Sequence, residues 1–490
     1  MSVAPTTAEP TRPPKPTRPA RTAGPVAEQL RAILARIHFY AGLFVAPFLI
    51  VAALSGALYA LSPTLEKLAY QDQISATTTT TTTSTPLAEQ IAAARDRQPG
   101  LELVEVWPAD EPGTATRVLF ADGSLPEGVN RAVFVDPADA SVNGALTSYS
   151  GLGELPLRSW ISGLHSDLHL GAAGEIYSEL AASWLLILAL SGLFLWWRTT
   201  RAARSARRAA MLRGVPARPG SRRKTMSLHA TLGTWFAVVL LGIATTGLTW
   251  STYTGGNIDS VVSAMNWRSD PLQTSLSGDA ATTDAHAEHR GHSAQHAGHR
   301  SPAEQAPSVL DAARHAGLDG PLRMSAPTDA DSAWTVSQLW GPWVFSSDSV
   351  AVSGDDGRIV DRLDFEDLSP YSKLSSWGIY LHMGIMFGLP LQIALAATAL
   401  AVVALAITGY RMWWKRRPTR GGLPAPLGKT TGLSWQVYAI ATAVAVGLGL
   451  FMPLLGISLA AFVVVDILVT RRATVTAPAT GPTAPAGPLS

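Results

Sequence analysis

The sequence contains no cysteine. Disulfide bonds, iron–sulfur clusters, thiol catalysis and covalently attached c-type haem all need cysteine sulfur, so this chain has none of them. Charge is also scarce, since Asp, Glu, Lys and Arg together make up 15% of the 490 residues. With a formal net charge of +2 and 47% hydrophobic residues, the composition excludes an ordinary soluble enzyme and indicates a membrane protein.

Long apolar runs are the dominant feature of the sequence. They lie at about 39–61, 181–197, 230–250, 389–410, 435–451 and 453–470, and most approach the roughly 20 residues that a helix needs to span a bilayer. Basic residues cluster beside these runs, above all in the acid-free loop 198–224. The clusters all fall on one side of the membrane if there are six spans with both termini in the cytoplasm. We therefore predict a mainly α-helical integral membrane protein with six transmembrane helices.

Two long segments between the spans are predicted to lie outside the cytoplasm. Each has a short helical stretch followed by alternating, strand-like stretches, which is typical of a small α+β domain. The predicted boundaries are a disordered cytoplasmic tail 1–30, span 31–62, a Thr-rich linker 63–86, the first outer domain 87–150, span 160–198 with an outer histidine extension, a basic cytoplasmic loop 199–224, span 225–252, the second outer domain 253–375, span 376–415, spans 433–451 and 453–471, and a disordered tail 473–490.

Histidines recur at fixed distances from a Ser-Gly or Thr-Gly pair, which indicates an internal repeat. The spacings are 17 residues from His38 to Ser55-Gly56 and from His229 to Thr246-Gly247, and 26 residues from His165 to Ser191-Gly192 and from His382 to Thr408-Gly409. The chain therefore reads as a unit of span, outer domain and span, which is repeated once in the same orientation. A C-terminal helical hairpin follows the second unit.

A parallel repeat implies a pseudo-two-fold axis along the membrane normal. Across that axis His38 faces His229 near the cytoplasm, and His165 faces His382 near the outer surface. Two imidazoles from different helices, one on each side of a macrocycle, hold a b-type haem in a helical bundle. The repeat thus predicts two bis-His haem sites. For any single histidine the alternative is an interfacial residue or a hydrogen bonder at a helix end.

His169 has no histidine counterpart in the repeat, whose register places it opposite Met386. It cannot sandwich one haem with His165, because residues four apart lie on the same side of a helix. Three roles stay open for His169, namely an alternative outer ligand, a partner of a haem propionate and a substrate contact. Arg158 and Lys373, just before the outer histidines, are further candidates for pairing with propionates.

The distance between the two predicted haem sites is a difficulty. An unbroken helix from Trp196 back to His165 is roughly 45 Å long, which is too far for direct electron transfer. Breaks at Gly171/Gly174 and at Gly388-Leu389-Pro390 would shorten the gap; otherwise a third carrier is needed.

The histidine-containing starts of the spans, IHFYAGLFVAPF, LHSDLHLGAAG, LHATLG and LHMGIMFGLP, resemble those of bacterial PepSY-associated transmembrane proteins, often described as iron-regulated membrane proteins. The outer segments also resemble PepSY domains, in AVFVDPADASVNGAL and VAVSGDDGRIVDRLDF. The similarity extends from about residue 30 to 418. It implies a plasma-membrane protein of the haem-containing siderophore reductase type, with the unit of span, PepSY domain and span present twice.

An insert at 284–300 in the second outer domain departs from the pattern of that family. Its histidines are His286, His289, His292, His296 and His299. Imidazole clusters bind Zn²⁺, Cu²⁺ or Ni²⁺, so the insert is a candidate transition-metal site. The alternative is a solvated loop with incidental metal affinity.

The function expected from these features is an oxidoreductase of iron uptake, which reduces a ferric siderophore or another ferric chelate outside the cell. The electron donor is left open between a cytoplasmic protein and a quinol, because no Gly-rich dinucleotide fingerprint is present. Lipid surrounds the spans, and no nucleic acid is expected as a partner. The alternatives are a membrane protein that handles metal without redox chemistry and a regulator of an outer peptidase.

Overall fold

The computed structural model describes residues 26–76, 84–149, 151–201, 218, 220–277, 300–416 and 434–475, the last eleven of these as backbone only. Both predicted terminal tails, apart from residues 26–30 and 473–475, lie outside the described residues. So do most of the Thr-rich tract and of the basic loop, and all five histidines of the insert at 284–300. Helix α1 begins at Val26, before the boundary at residue 30 that composition favours.

The described residues form thirteen α-helices and eight strands. The helices are α1 (Val26–Phe44), α2 (Ala46–Ala69), α3 (Gln71–Ile74), α4 (Leu87–Arg97), α5 (Pro156–Ser166), α6 (Ala172–Arg201), α7 (Arg222–Thr249), α8 (Thr252–Ala264), α9 (Pro302–His315), α10 (Pro370–His382), α11 (Leu389–Trp414), α12 (Trp435–Phe451) and α13 (Pro453–Val475). The strands are β1 (Glu102–Trp107), β2 (Thr116–Ala121), β3 (Val129–Val135), β4 (Val142–Tyr149), β5 (Leu322–Ser325), β6 (Trp334–Gln338), β7 (Ser349–Val352) and β8 (Ile359–Leu363).

Four of the described helices, α2, α6, α7 and α11, are long and apolar enough to cross a membrane. They correspond to the first four predicted spans. Helix α12 and the first half of α13 are apolar but shorter, at Trp435–Phe451 and Pro453–Val464. The split between α12 and α13 falls at Met452, where Pro453 cannot continue a helix that arrives from its N-terminal side.

The run predicted as one span at 31–62 forms two helices in the structure, α1 and α2, with Val45 between them. Pro47 is the cause, because proline has no N–H to donate to the carbonyl of Leu43, four residues earlier. The hydroxyl of Tyr410 on α11 donates to that carbonyl oxygen instead, at 2.8 Å. The break in the first span is therefore tied to the fourth span.

The predicted spans 160–198 and 376–415 are also two helices each, α5 with α6 and α10 with α11. In the first break Leu168, His169 and Gly171 have φ near +56°, a left-handed conformation that ends a helix. In the second break Gly384 and Gly388 have φ of 74° and 57°. These breaks let α5 pack on α2 and α10 pack on α7.

The two outer segments, predicted as separate domains, share one antiparallel sheet in the order β4-β3-β2-β1-β5-β6-β7-β8. Each segment contributes four neighbouring strands, and the halves join where Val106 of β1 pairs with Met324 of β5. This pairing gives hydrogen-bond partners to backbone N–H and C=O groups of β1 and β5, which would be unpaired edge groups in two separate four-stranded sheets. Helices α4 and α9 cover one face of the sheet over a continuous apolar core that includes Trp334 and Phe120.

The hydrogen bond from Tyr410 to Leu43 yields a first prediction. Replacing Tyr410 with Phe leaves the Leu43 carbonyl without a donor, so we expect the variant to be about 1–3 kcal/mol less stable. Tyr177→Phe is the matched control, because Tyr177 donates to the carbonyl of Phe48 at 2.6 Å. That carbonyl keeps an N–H partner within α2, from Ala52.

Thermal unfolding in detergent compares the two variants. A lower midpoint for Tyr410→Phe, with Tyr177→Phe close to the wild type, supports the proline explanation. Equal losses in both variants would contradict it.

Candidate functional site

The four repeated histidines each pair with a Ser-Gly or Thr-Gly motif on the neighbouring span of the same half. In every pair, imidazole Nδ1 lies within hydrogen-bonding distance of the hydroxyl oxygen. The pairs are His38 with Ser191 (2.9 Å), His165 with Ser55 (3.1 Å), His229 with Thr408 (3.0 Å) and His382 with Thr246 (2.6 Å). The two halves of the chain therefore contain the same reciprocal exchange, in which each of two spans holds the histidine of the other.

The hydroxyl groups determine which imidazole nitrogen carries the proton. Each hydroxyl donates its own hydrogen to a carbonyl one turn back in its helix, as Ser55 does to Ala52 at 3.1 Å and Thr246 does to Gly242 at 2.8 Å. Ser191 and Thr408 make the same kind of bond. A hydroxyl oxygen engaged in this way accepts from its histidine, so the imidazole Nδ1–H is the donor.

A main-chain carbonyl leads to the same assignment. Nδ1 of His229 lies 3.1 Å from the carbonyl oxygen of Leu405, and a carbonyl can only accept. With Nδ1 protonated, the neutral ring keeps its lone pair on Nε2. Among the described residues no hydrogen bond engages Nε2 of any of these four rings.

The glycine of each motif provides room for the histidine ring. A Cβ atom at Gly56 would lie 2.9 Å from Cε1 of His165, and one at Gly192 would lie 3.0 Å from Cε1 of His38. The second half is roomier, with 3.6 Å at Gly247 and 4.0 Å at Gly409. In the first half, the ring packs directly against the backbone of the neighbouring span.

The histidines also meet across the pseudo-two-fold axis. The rings of His38 and His229 lie 6.3 Å apart between centroids, with their planes at 90°. His165 and His382 lie beside one apolar cluster, in which Tyr59 and Ile161 pack with Met383, the residue after His382. The ring of Tyr59 stacks on His165 at 5.9 Å, and that of Trp250 lies 6.0 Å from His382. The structure thus brings the residues together in the pairs that the repeat predicts.

The distance between the inner and the outer histidine pair can be measured along α7, which carries both His229 and Thr246, the partner of His382. Seventeen residues separate these two positions, or about 26 Å of helix. An unbroken second span would have placed the outer histidine much farther away. The breaks after His165 and His382 reduce the distance, because α5 and α10 turn back beside the spans.

His169 does not belong to the outer pair. Its Nε2 lies 3.0 Å from the carbonyl oxygen of Trp160, and its ring packs at 5.3 Å from the indole of Trp160. The residue is exposed on the turn after α5. The geometry therefore favours His165 over His169 as the outer ligand.

The other candidates from the sequence are placed as follows. Arg158 is buried beside Glu154, with Nε 3.3 Å from Oε1. Lys373 is half-buried and donates to the carbonyl of Glu366 at 2.6 Å. The histidines of the insert at 284–300 lie outside the described residues. Within the described part of the chain, no three His, Asp or Glu side chains form a group that could hold a metal ion by themselves.

The reciprocal exchange between histidines and hydroxyls was not anticipated from the sequence. From the sequence, the Ser-Gly and Thr-Gly pairs predict only the internal repeat. Their equal spacing from the histidines was the available signal, because a polar residue at a fixed register in an apolar span needs a partner.

Comparison with known proteins gives one family match. The family described as PepSY-associated TM region matches residues 35–416, which contain all four paired histidines and both outer segments. No curated protein matches the chain.

The glycine clearances yield a second prediction, on two positions that are equivalent in the repeat. Gly56→Ala places a methyl group 2.9 Å from His165, so we expect a loss of about 1–3 kcal/mol in stability. Gly247→Ala has 3.6 Å to His382, and we expect it to be neutral or up to about 1 kcal/mol stabilising, since alanine is the better helix former.

Thermal unfolding of both variants in the same detergent is the measurement. If Gly247→Ala proved as damaging as Gly56→Ala, the close approach of the His165 ring would not be the reason for the glycine.

Proposed function

The chain belongs to the family of PepSY-associated transmembrane proteins, and on that premise we propose that it transfers electrons, through two b-type haem groups, to ferric iron held by a chelator outside the cytoplasm. The observation that carries the proposal is the shared arrangement of four half-buried imidazoles. Each directs Nδ1 at a hydroxyl of the neighbouring span, so that in the neutral ring the lone pair is on Nε2. Imidazole in this form is ready to bind a metal.

The residues present fit a haem at each level. Both pairs take their histidines from different helices, as a bis-His site requires. Imidazole nitrogens bind metals at about 2.0–2.1 Å, so two histidines that would share one metal must be close neighbours. The rings of His38 and His229 meet this condition, with centroids 6.3 Å apart. Two protein ligands per site suffice, because the macrocycle supplies the other four.

The protein residues would tune and protect such a site. Bound haem would supply reversible one-electron chemistry of iron. The hydroxyl groups of Ser191 and Thr408 fix the rings of His38 and His229 and, by accepting from Nδ1–H, make Nε2 more basic. The apolar side chains of α1, α6, α7 and α11 keep water from the inner pair. Low polarity, histidine ligands and hydrogen bonds to those ligands are among the features by which a protein sets the potential of such a group.

The substrate side of the proposal follows from the position of the outer pair. His165 and His382 lie at the ends of α5 and α10, which connect the sheet to the spans. A ferric chelate outside would accept one electron there and become a ferrous chelate, while a donor at the inner level loses that electron. Oxygen ligands of siderophores hold ferrous iron less tightly than ferric iron, so reduction releases the metal for uptake.

The orientation is also part of the proposal. We place α12 and the apolar half of α13 across the membrane as well, which makes six spans with both termini in the cytoplasm of a bacterial plasma membrane. Only this number puts the basic clusters on one side. The electron donor is then a cytoplasmic reductant or a quinol near His38 and His229. Regulation of a peptidase gives no reason for the paired imidazoles. Metal handling without redox chemistry calls for an acidic or polar path through the spans, and their sequence offers few such residues, namely Glu179, Gln392 and Asp466.

The proposal predicts a coloured protein. We expect the detergent-purified chain, from haem-replete cells, to show a Soret band and, after dithionite, the sharp α-band of low-spin bis-His haem. A pyridine haemochrome assay should give about two haems per chain. A colourless protein would end the reductase proposal.

Single variants assign the ligands. His38→Ala and His382→Ala should each remove about one of the two haems, since each deletes one axial ligand. His169→Ala and His315→Ala are the controls, because both rings are exposed and belong to neither pair. Loss of haem in His169→Ala, with haem kept in His165→Ala, would contradict the outer assignment.

A further inference from the structure

A cavity of about 490 Å³ lies between the sheet and the outer ends of the spans. Its wall includes loops of both outer segments, and its floor includes the outer end of α2 and the start of α11. The volume is in the range of pockets that bind small molecules. The cavity is separate from the histidine pairs, since none of the four paired histidines lines it.

Basic residues dominate the charged lining of the cavity. Arg117, Arg158, Arg323 and Lys67 line it, and Glu66 is the acidic residue among the lining side chains. Arg117 lies over the ring of Trp107 at 4.7 Å and donates to the carbonyl of Gly153. Burial lowers the pKa of Arg117 to about 10, so this side chain stays cationic at neutral pH.

Arg158 is the least satisfied of these cations. Its side chain is only 8% exposed. Its Nη2 has no hydrogen-bond partner among the described residues, and its Nε, 3.3 Å from Glu154, does not reach hydrogen-bond geometry. Buried guanidinium groups are normally paired and hydrogen-bonded, because an unused charged donor is costly to bury. Although ion-paired with Glu154, Arg158 therefore keeps a charged donor that lacks an acceptor among the described residues, in a side chain that lines the cavity.

The neighbours of Arg158 do not supply that acceptor. Glu154 is engaged with the hydroxyl of Tyr59, which donates to its Oε1 at 3.2 Å. Glu66 accepts from the backbone N–H of Leu155 at 2.6 Å. Arg323 forms its own ion pair with Glu105, which lies behind it. The nearby carboxylates are thus committed, and the basic residues still outnumber them.

The cavity also adjoins the outer histidine pair. The ring of Tyr59, whose hydroxyl reaches Glu154, stacks in parallel on His165 with an interplanar angle of 12°. In the second half of the repeat, Tyr380, which is two residues before His382, stacks on Trp340 at 4.4 Å. Both Tyr380 and Trp340 line the cavity. A ligand that meets Arg158 is therefore separated from His165 by two contacting side chains, Glu154 and Tyr59.

We propose that this cavity binds a carboxylate-bearing ligand, with Arg158 as its principal anchor and Arg117, Arg323 and Lys67 as the surrounding positive field. Guanidinium groups bind carboxylate through charge-assisted hydrogen bonds, and Nη2 of Arg158 has no partner for one among the described residues. Two sources have this chemistry, a soluble anionic ferric chelate and the propionate of a haem at the outer pair. Naming these sources rests on the proposed function; the anion site itself rests on the cavity and on Arg158.

The test uses gallium citrate, a redox-inert analogue of ferric citrate, so that binding is measured without electron transfer. Calorimetric titration of the full chain in detergent is compared for wild type and Arg158→Gln, and the haem content of each is counted. We expect Arg158→Gln to weaken gallium citrate binding by about tenfold or more. Neutral gallium tris(maltolate), which has no carboxylate, should bind equally weakly to both.

Controls separate the anion site from folding and from general charge effects. Glu154→Gln/Arg158→Gln removes both members of the buried pair, so no uncompensated carboxylate is left, and it should fold and still bind gallium citrate poorly. Lys373→Gln removes a cation outside the cavity and should bind like the wild type.

The outcomes distinguish the two sources. Weaker gallium citrate binding with unchanged haem identifies the soluble chelate as the ligand. Loss of haem in Arg158→Gln, with no gallium citrate binding in the wild type, identifies the propionate. Unchanged citrate affinity and unchanged haem content overturn the proposal. A colourless wild type that still binds gallium citrate through Arg158 would refute the reductase proposal and leave the anion site in place.

Discussion

The hydrogen bond between an imidazole Nδ1–H and a hydroxyl on the neighbouring span is the interaction on which the rest of the structure depends. It occurs four times. Each hydroxyl also donates to a carbonyl of its own helix, so the hydroxyl oxygen must accept and the ring proton is on Nδ1. In an apolar interior a polar ring without a partner is expensive to bury. The same bond that makes the histidine acceptable inside the bundle also leaves Nε2 available. One hydrogen bond therefore both satisfies the polar ring inside the bundle and leaves Nε2 without a partner among the described residues.

The distance between the two histidine pairs depends on breaks in the helices. Pro47 interrupts the first span above His38, and the turn at 167–171 interrupts the second after His165. A break exposes backbone carbonyls, and the structure satisfies the Leu43 carbonyl through Tyr410. Because α5 and α10 turn back beside the spans, the outer pair lies about 26 Å from the inner pair along α7. The breaks thus set the spacing of the two levels, which straight helices would have made too large.

The outer part connects the two halves of the repeat a second time. Within the bundle the halves meet at the histidine pairs, and outside it they meet where β1 pairs with β5. The continuous sheet lies over the ends of the spans and encloses a basic cavity that neither half contains alone. Arg117 and Arg158 come from the first half, and Arg323 comes from the second. The edge pairing thus encloses a basic cavity at the junction of the two halves, near the outer histidines.

The sequence by itself determined the membrane class, the repeat, the identity of the four paired histidines and the helix-plus-strand character of both outer segments, because hydropathy, spacing and alternation are local properties of the chain. Pro47 separates two helices that the prediction joins, whereas the breaks near Gly171 and Gly388 fall where the sequence left a break open as one alternative. Only the tertiary structure decided that each Ser-Gly or Thr-Gly motif holds the histidine of the neighbouring span, that His165 rather than His169 faces His382, and that the two sheets are one. These outcomes depend on which distant surfaces meet. The residues in contact are 110 positions apart for Ser55 and His165 and 218 apart for Val106 and Met324.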